Sequence, residues 1–440
     1  MEVVFKNANG KIIHGDNIDM LDELSESSVD SCISDFPYAI EFMGKNWDSV
    51  KCWNQGKGIH GQFSGTGYSG KKRPAFYANS HEDKLIFYDW CFKRAELLFK
   101  TLKPGGYAAI FGHPKTNHRL KCAFEDAGFK IVEEIDWIYS TGMPKNQDIG
   151  KLFEKSGNKS MAEHYDGYKT AGLKPAHEPI TIFQKPIDGT YIQNIEKYGC
   201  GAMNIDACRV PFQSEQDIQT AKAKTNFTEA SDHNRGFGNG TDIYGDGNTP
   251  LEQAKRCIKD SGRFPPNVIL DEGAADILDE QTGITKSVGG SGIASRKNRC
   301  KNVYGAFDTQ TNEKYINESL GGYYDIGGGS RYFPIIKYNP KVAPYERKLP
   351  NGERNPHVTV KPVELIKWLI KLITPVDGIT IDITAGSCTH AVACEELNRN
   401  CGYNLKWVDM ELMNTETEPY CFVGKQRVEG ICSNRSKKLF

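Results

Sequence analysis

Along the first 190 residues, short unbroken apolar runs of strand length alternate with stretches whose apolar residues recur at helical spacing. Val29 to Ser34 reads as a strand that runs directly into Asp35-Phe36-Pro37-Tyr38. Leu85, Phe87, Trp90, Cys91, Ala95 and Leu98 give an apolar face to a helix over residues 81–102, which Lys103-Pro104-Gly105-Gly106 breaks before a buried strand at Tyr107 to Phe111. The same grammar returns as a helix at Thr116 to Ala127 and strands at Lys130 to Tyr139 and Ile180 to Phe183. Strands separated by helix-length segments predict a mostly parallel sheet with helices on both faces.

The pattern lapses in two places. Lys51 to Pro74, rich in Gly and Lys, reads as a charged loop, and from about Asp188 to Pro350 helical phasing is weak and Gly, Asn, Asp and Thr are frequent. So long a structureless loop is unusual, which predicts an inserted module. Periodicity resumes beyond Lys361. Val363, Leu365, Ile366, Leu369, Ile370 and Ile373 make a buried helix face with Pro362 in its first turn. Gly378 to Asp382 is then a strand, Thr384 to Cys388 a small-residue turn, His390 to Leu397 a helix, and Leu405 to Met410 a strand closed by Glu411. That order is a nucleotide-binding half-unit, and its strands are needed to complete the N-terminal sheet. The expected organisation is residues 1–190 and 351–440 forming one α/β domain, with 191–350 inserted.

Composition adds limits. The 440 residues carry 55 Lys and Arg against 56 Asp and Glu, a net charge of -1, which suits an ordinary folded chain and does not advertise a polyanionic partner. The balance is uneven, however: residues 281–349 hold 11 Lys and Arg against 5 Asp and Glu, concentrated at Arg296, Lys297, Arg299 and Lys301. Those four are candidate nucleic-acid contacts, or equally a solvated charge run. The 13 cysteines form no CxxC pair, so no metal site is expected. No apolar run reaches membrane-spanning length, and the N-terminus lacks a secretory leader, so a cytoplasmic protein without membrane attachment is expected.

Two turns could carry chemistry. Asp35-Phe36-Pro37-Tyr38 ends a strand, where open α/β sheets collect ligands. There Asp35 can accept a hydrogen bond from an exocyclic amino group, the Phe36 carbonyl can take the second proton, Pro37 stiffens the turn, and Tyr38 can stack on a base taken out of its duplex. Four letters alone fit a helix-capping turn equally well. At the second turn, Asp382 closes a strand, Gly386 permits close backbone approach, and Glu411 could accept hydrogen bonds from ribose hydroxyls. Lacking a dinucleotide fingerprint or a Gly-Lys-Ser/Thr ending, this turn suits a nucleoside cofactor without a pyrophosphate.

Together these stretches resemble the permuted β-type S-adenosylmethionine-dependent DNA amino-methyltransferases, and among them phage or prophage members. Asp35-Phe36-Pro37-Tyr38 resembles the family's Asp-Pro-Pro-Tyr, Asn355 to Pro362 resembles Asn-x-His-Pro-Thr-x-Lys-Pro, and Asp382 to Thr389 resembles Asp-Pro-Phe-x-Gly-Ser-Gly-Thr. His14-Gly15-Asp16, Lys103 to Gly106 and Lys174 to Pro179 match further family stretches. The resemblance implies a Rossmann-like, circularly permuted fold with an inserted target-recognition module. It also implies S-adenosyl-L-methionine held by Asp16, His357, Lys361, Asp382, Thr384, Gly386, Ser387 and Glu411, with double-stranded DNA as substrate. Three positions depart from the pattern: Phe36 replaces a proline, Thr384 a phenylalanine and Cys388 a glycine. Phe36 would add an aromatic surface beside the target base. Thr384 would remove a contact to the adenosyl group, and Cys388 would obstruct close backbone approach if its φ is positive.

Asp at the head of the tetrapeptide favours adenine N6 within the resembled family. Cytosine N4, RNA, and a descendant with altered cofactor use or none stay open, as do a homodimer and a companion restriction nuclease.

Overall fold

The computed structural model describes residues 1–40, 45–50, 81–142, 146–212, 215, 217–218, 258–259, 261–286, 326–336 and 347–433. Arg296, Lys297, Arg299 and Lys301 lie outside the described residues, as do residues 51–74.

The strands are β1 (Glu2–Lys6), β2 (Gly10–His14), β3 (Val29–Asp35), β4 (Leu102–Phe111), β5 (Lys130–Ile138), β6 (His177–Gln184), β7 (Ile258–Lys259), β8 (Gly262–Arg263), β9 (Val268–Asp271), β10 (Thr285–Lys286), β11 (Ile326–Gly327), β12 (Ile335–Ile336), β13 (Ile379–Asp382) and β14 (Lys406–Glu411). Ten of them form one sheet in the order β1-β2-β14-β13-β3-β4-β6-β5-β9-β12. Six of its nine pairings are parallel, and the antiparallel ones are β1 with β2 and β6 with each neighbour. The chain divides into a larger unit, Met1–Cys208, Pro265–Ala275 and Phe333–Phe440, and a smaller one, Arg209–Phe264 and Asp276–Tyr332. The smaller unit contains the β7–β8 and β10–β11 pairs. Residues 191–350 are therefore not one contiguous insertion, because β9 and β12 return to extend the main sheet beside β5. Their brevity, four residues and two, hid them from periodicity.

The central strands form where their composition requires burial on both faces. β3 is buried from Val29 to Ser34 and lies between β13 and β4, both parallel to it. The helix Val363–Ile373 buries Leu365, Ile366, Leu369, Ile370 and Ile373 and leaves Lys367 to bond Glu364 at 2.6 Å and Glu396 at 3.1 Å. Pro362 precedes this helix at its cap, with ψ of 132°, instead of sitting in its first turn. In the helix His81–Thr101, Phe87, Cys91, Ala95 and Leu98 face inward, whereas Leu85 is 42% exposed and lies off the buried stripe. Lys103 to Gly106 does not merely end that helix, since β4 already starts at Leu102. A register irregularity opposite Val29 to Ser31 absorbs the Pro-Gly-Gly run.

Polar bonds pin β3 to β13 across more than 340 residues of sequence. Asp30 Oδ2 accepts from the Ile379 amide at 2.7 Å, Ser31 Oγ lies 2.9 Å from Thr380 Oγ1, and Ser34 Oγ donates to Asp382 Oδ1 at 2.7 Å. From this seam the chain leaves in opposite directions: β3 continues to β4 on one side, and β13 to β14 on the other. Such a divergence opens a crevice at the carboxyl ends of the two strands.

Candidate active site

That crevice is a cavity of about 1520 Å³. Its lining includes Asp16, Asp35, Phe36, Pro37, Tyr38, His357, Lys361, Thr384, Gly386 and Glu411, drawn from both ends of the chain. Of the residues expected to form a site, Asp382 and Ser387 are not on its wall. Asp382 is buried, accepting from Ser34 Oγ at 2.7 Å and from the Thr384 amide at 3.0 Å, and it shapes the turn from below. Burial and the nearby Asp409 push its carboxyl above the usual range. Ser387 faces inward, where its Oγ accepts from Asn355 Nδ2 and Arg427 Nη1, each at 3.0 Å.

At the end of β3, Asp35 belongs to a four-group cluster. Lys361 Nζ lies 2.5 Å from Asp35 Oδ2 and 3.3 Å from Glu178 Oε2. The Tyr38 hydroxyl lies 3.0 Å from both Asp35 Oδ1 and Glu178 Oε2, and its single proton can serve only one of them at a time. Two carboxylates thus share one ammonium and one hydroxyl. Burial drives the Asp35 carboxyl upward, Lys361 opposes it, and Glu178 adds to the rise. Lys361, expected at the cofactor, is placed on Asp35. Glu178 was no candidate, although it stands in the motif-like Lys174 to Pro179 stretch, on β6 two strands from Asp35.

Phe36 does not offer its ring to the cavity. It is 1% exposed and packs edge-on against Trp90 at 5.3 Å, with Phe124 at 6.0 Å. Consecutive residues of an extended segment point to opposite sides, so Asp35 and Phe36 cannot both face one pocket. Its backbone carbonyl remains as the polar group the tetrapeptide can present.

The second turn is fastened to the first. Thr384 Oγ1 donates to the Asp35 carbonyl at 2.9 Å and lies 2.7 Å from Ser34 Oγ, so the residue replacing an aromatic ties the two strand ends together. Gly386 has φ of +52°, and a Cβ there would stand 2.6 Å from His357 Nε2, so only glycine fits. Its amide donates to Glu411 Oε2 at 2.6 Å, while the Met413 amide donates to Oε1 at 2.7 Å. Burial raises the Glu411 carboxyl to about 8 despite both donors. His357 packs against Tyr420, ring centroids 4.5 Å apart, and stacks at 6.4 Å on Trp47. Burial first, then Lys361 and Arg427, draws its imidazole down to about 3, so it is neutral near pH 7.

On the far wall, Asp16 caps the helix Asn17–Glu23 by accepting from the Ile18 amide at 3.0 Å, and Arg94 approaches it to 3.7 Å. The Arg94 guanidinium lies 3.7 Å over the Trp90 ring, and burial lowers it to about 10. Asn17 gives its Nδ2 to the Ile383 carbonyl at 2.8 Å, while its buried Oδ1, on a cavity-lining residue, has no partner among the described residues. Arg94 and Asn17 also escaped the sequence reading; a buried arginine on an otherwise apolar helix face was the available signal.

Cys388 has φ of +57° at the start of the helix Thr389–Asn400. It is fully buried and turned away from the crevice, toward Gly424, so its side chain leaves the turn's approach clear. A separate Cys394, His390 and Asp409 alignment mimics a nucleophilic triad, with His390 Nδ1 2.6 Å from Asp409 Oδ1 and Cys394 Sγ 3.7 Å from Nε2. All three are sealed from solvent, and the group braces β13 and β14 through Thr380.

Residues 29–432 match the family model described as DNA methylase. The type II methyltransferase M.HindIII of Haemophilus influenzae is 28% identical over 211 residues, covering 44% of this chain and 64% of that protein, less than two thirds of its length. Among solved structures, PvuII DNA methyltransferase (cytosine-N4-specific) aligns over 98% of this chain and 94% of its own, with 13% identity and a TM-score of 0.40. A DNA modification methylase of Thermus thermophilus, complexed with S-adenosyl-L-methionine, aligns over 96% of each chain with 13% identity and a TM-score of 0.38. No helix among the described residues is long and apolar enough to cross a membrane.

Proposed function

The chain belongs to the DNA methylase family, and from that membership we propose that it methylates the N6 amino group of an adenine turned out of double-stranded DNA. At the coarser level it is an S-adenosyl-L-methionine-dependent DNA amino-methyltransferase. The observation that carries the finer reading is the convergence of Asp35 and Tyr38 with Gly386 and Glu411 on one cavity.

The cavity wall fits the cofactor. Glu411 ends β14 with a carboxylate whose remaining lone pairs can accept from ribose hydroxyls, and the unpartnered Asn17 Oδ1 suits an ammonium group. Gly386 keeps the floor free of a side chain. When bound, S-adenosyl-L-methionine supplies an electrophilic methyl group.

The residues of this chain supply the rest. An exocyclic amine is a poor nucleophile because its lone pair is delocalised into the ring. Asp35 and the Phe36 carbonyl accept its two protons and favour the pyramidal geometry that frees the lone pair. Lys361 holds Asp35 in place and biases it toward the ionised form, and the cluster of Asp35, Lys361 and Glu178 carries a net negative charge where positive charge develops on nitrogen. The departing proton passes to the Asp35 carboxylate, whose raised affinity for protons suits that task. Tyr38, beside His113 at 5.7 Å, presents its ring to the base. Target recognition falls to the region within residues 191–350, supported by the basic run Arg296, Lys297, Arg299 and Lys301.

Labelled methyl transfer to genomic DNA, followed by nucleoside identification and sequence mapping, tests the proposal. N6-methyladenine is expected. N4-methylcytosine would overturn the choice of atom, and a folded protein that labels no DNA would overturn methyl transfer itself.

A further inference from the structure

Leu173 is 94% exposed, more than any other large hydrophobic side chain among the described residues. Isolated exposed leucines are ordinary on protein surfaces. Two further observations set this one apart. Leu173 lies on the rim of the cavity that holds Asp35, in the short connection leading into β6, the strand that carries Glu178. The backbone on either side of it is also fixed. Asn146 Nδ2 donates to the Thr170 carbonyl at 2.7 Å and bonds the Gly172 carbonyl as well, and the Thr170 amide and Oγ1 both bond the Gln147 backbone at 2.8 Å. On the other side Lys174 Nζ bonds the Ser140 carbonyl, and the Tyr139 amide donates to the Ala176 carbonyl at 2.9 Å. The chain thus spends polar side chains to hold an uncovered apolar one at the mouth of the site.

We propose that Leu173 is a wedge that enters the base stack of duplex DNA beside the target base. This rests on the reading that the protein acts on a base turned out of its duplex. Extrusion of a base leaves a gap in the stack and forfeits pairing and stacking. An apolar side chain inserted at that level occupies the gap and shields its neighbours from water. Leucine suits the role because it offers an apolar volume without a polar group to desolvate, and the anchored backbone means little ordering is needed on contact.

The test compares Leu173→Ala and Leu173→Met with the unaltered protein, using kcat/KM for methyl transfer to two duplexes carrying the mapped recognition sequence. In one duplex the target base is paired; in the other it faces an abasic site, where extrusion breaks no base pair. Leu173→Ala is expected to lose about tenfold on the paired duplex and to stay within about twofold of the unaltered protein on the abasic one. Leu173→Met, which keeps an apolar wedge, is expected to stay close to the unaltered protein on both. Unchanged activity of Leu173→Ala on paired DNA would overturn the wedge, and so would an equal loss on both duplexes. If the unaltered protein labels neither duplex, the methyl-transfer reading fails and the wedge falls with it, an outcome separate from the other two.

Discussion

The sulfur of Cys388 fills the space that a Cβ on residue 424 would need, so glycine at 424 and cysteine at 388 are one packing solution. Gly424 lies in the helix Tyr420–Ser433, which also carries Arg427, the donor to Ser387. Gly424→Ala is expected to destabilise the fold by about 1–3 kcal/mol through overpacking. Cys388→Gly combined with Gly424→Ala should recover most of that loss, because glycine also tolerates the positive φ at 388. Urea unfolding of the two single variants and the double variant reads the coupling, and strictly additive losses would contradict it.

Asp35→Ala removes the acceptor at the end of β3 while leaving Lys361 paired with Glu178. We predict a fall in kcat of about a hundredfold or more, with DNA affinity and thermal unfolding close to those of the unaltered protein. Retention of transfer activity in a rapid-quench assay would remove Asp35 from the mechanism.

Lys361→Met takes the cation from between two carboxylates. Burial and Glu178 both raise the Asp35 carboxyl, and Lys361 is the group that opposes them. Transfer requires Asp35 ionised, so activity is expected to fall as pH drops through its pKa. Without Lys361 that acid limb moves to higher pH. The profile of kcat against pH checks the direction, and a limb that stays in place or moves to lower pH would refute it.

His357 links stability to pH. Its folded value of about 3 lies below the ordinary 6.5, so as pH falls from about 6.5 toward 3 the unfolded chain gains a proton that the folded protein does not take up. The stabilisation it provides is therefore complete above about 6.5 and is lost as pH falls through that window. His357→Gln is expected to lose less stability than the unaltered protein between pH 7 and pH 5, measured as urea midpoints. Equal losses would show that His357 does not contribute to the acid sensitivity.

Much of this site was legible in the chain because its backbone follows periodic patterns. The burial of Val29 to Ser34 and the strand, turn, helix, strand order from Ile379 to Glu411 mark two strand ends, and their position at a switch in the sheet follows from topology. Side-chain direction was less accessible. Lys361 stands in a stretch that resembles a cofactor motif, yet its long stem reaches Asp35 instead. Phe36 could have been assigned inward from strand alternation alone, given that Asp35 faces out. Glu178 was hidden because its relation to Tyr38 spans 140 residues and depends on β6 lying antiparallel beside β4, which local sequence does not encode. Ser387 looked available because small polar residues at a turn often are; Arg427 and Asn355, far along the chain, draw it inward.

The seam between β3 and β13 has a consequence for how the protein is made. Strands β2 and β3 leave the ribosome well before β14 and β13, the strands that join them in the sheet. Glu395 closes the arrangement by accepting from Asn7, Asn9 and Trp407 at 2.7 to 3.0 Å. Until that later stretch emerges, the nascent chain carries two apolar strands with unpaired edges, a state open to aggregation. The crevice does not exist in a partial product, so a chain that stalls before Glu411 has no cofactor floor beneath Asp35. Translation through Glu411 is thereby a precondition for modifying DNA.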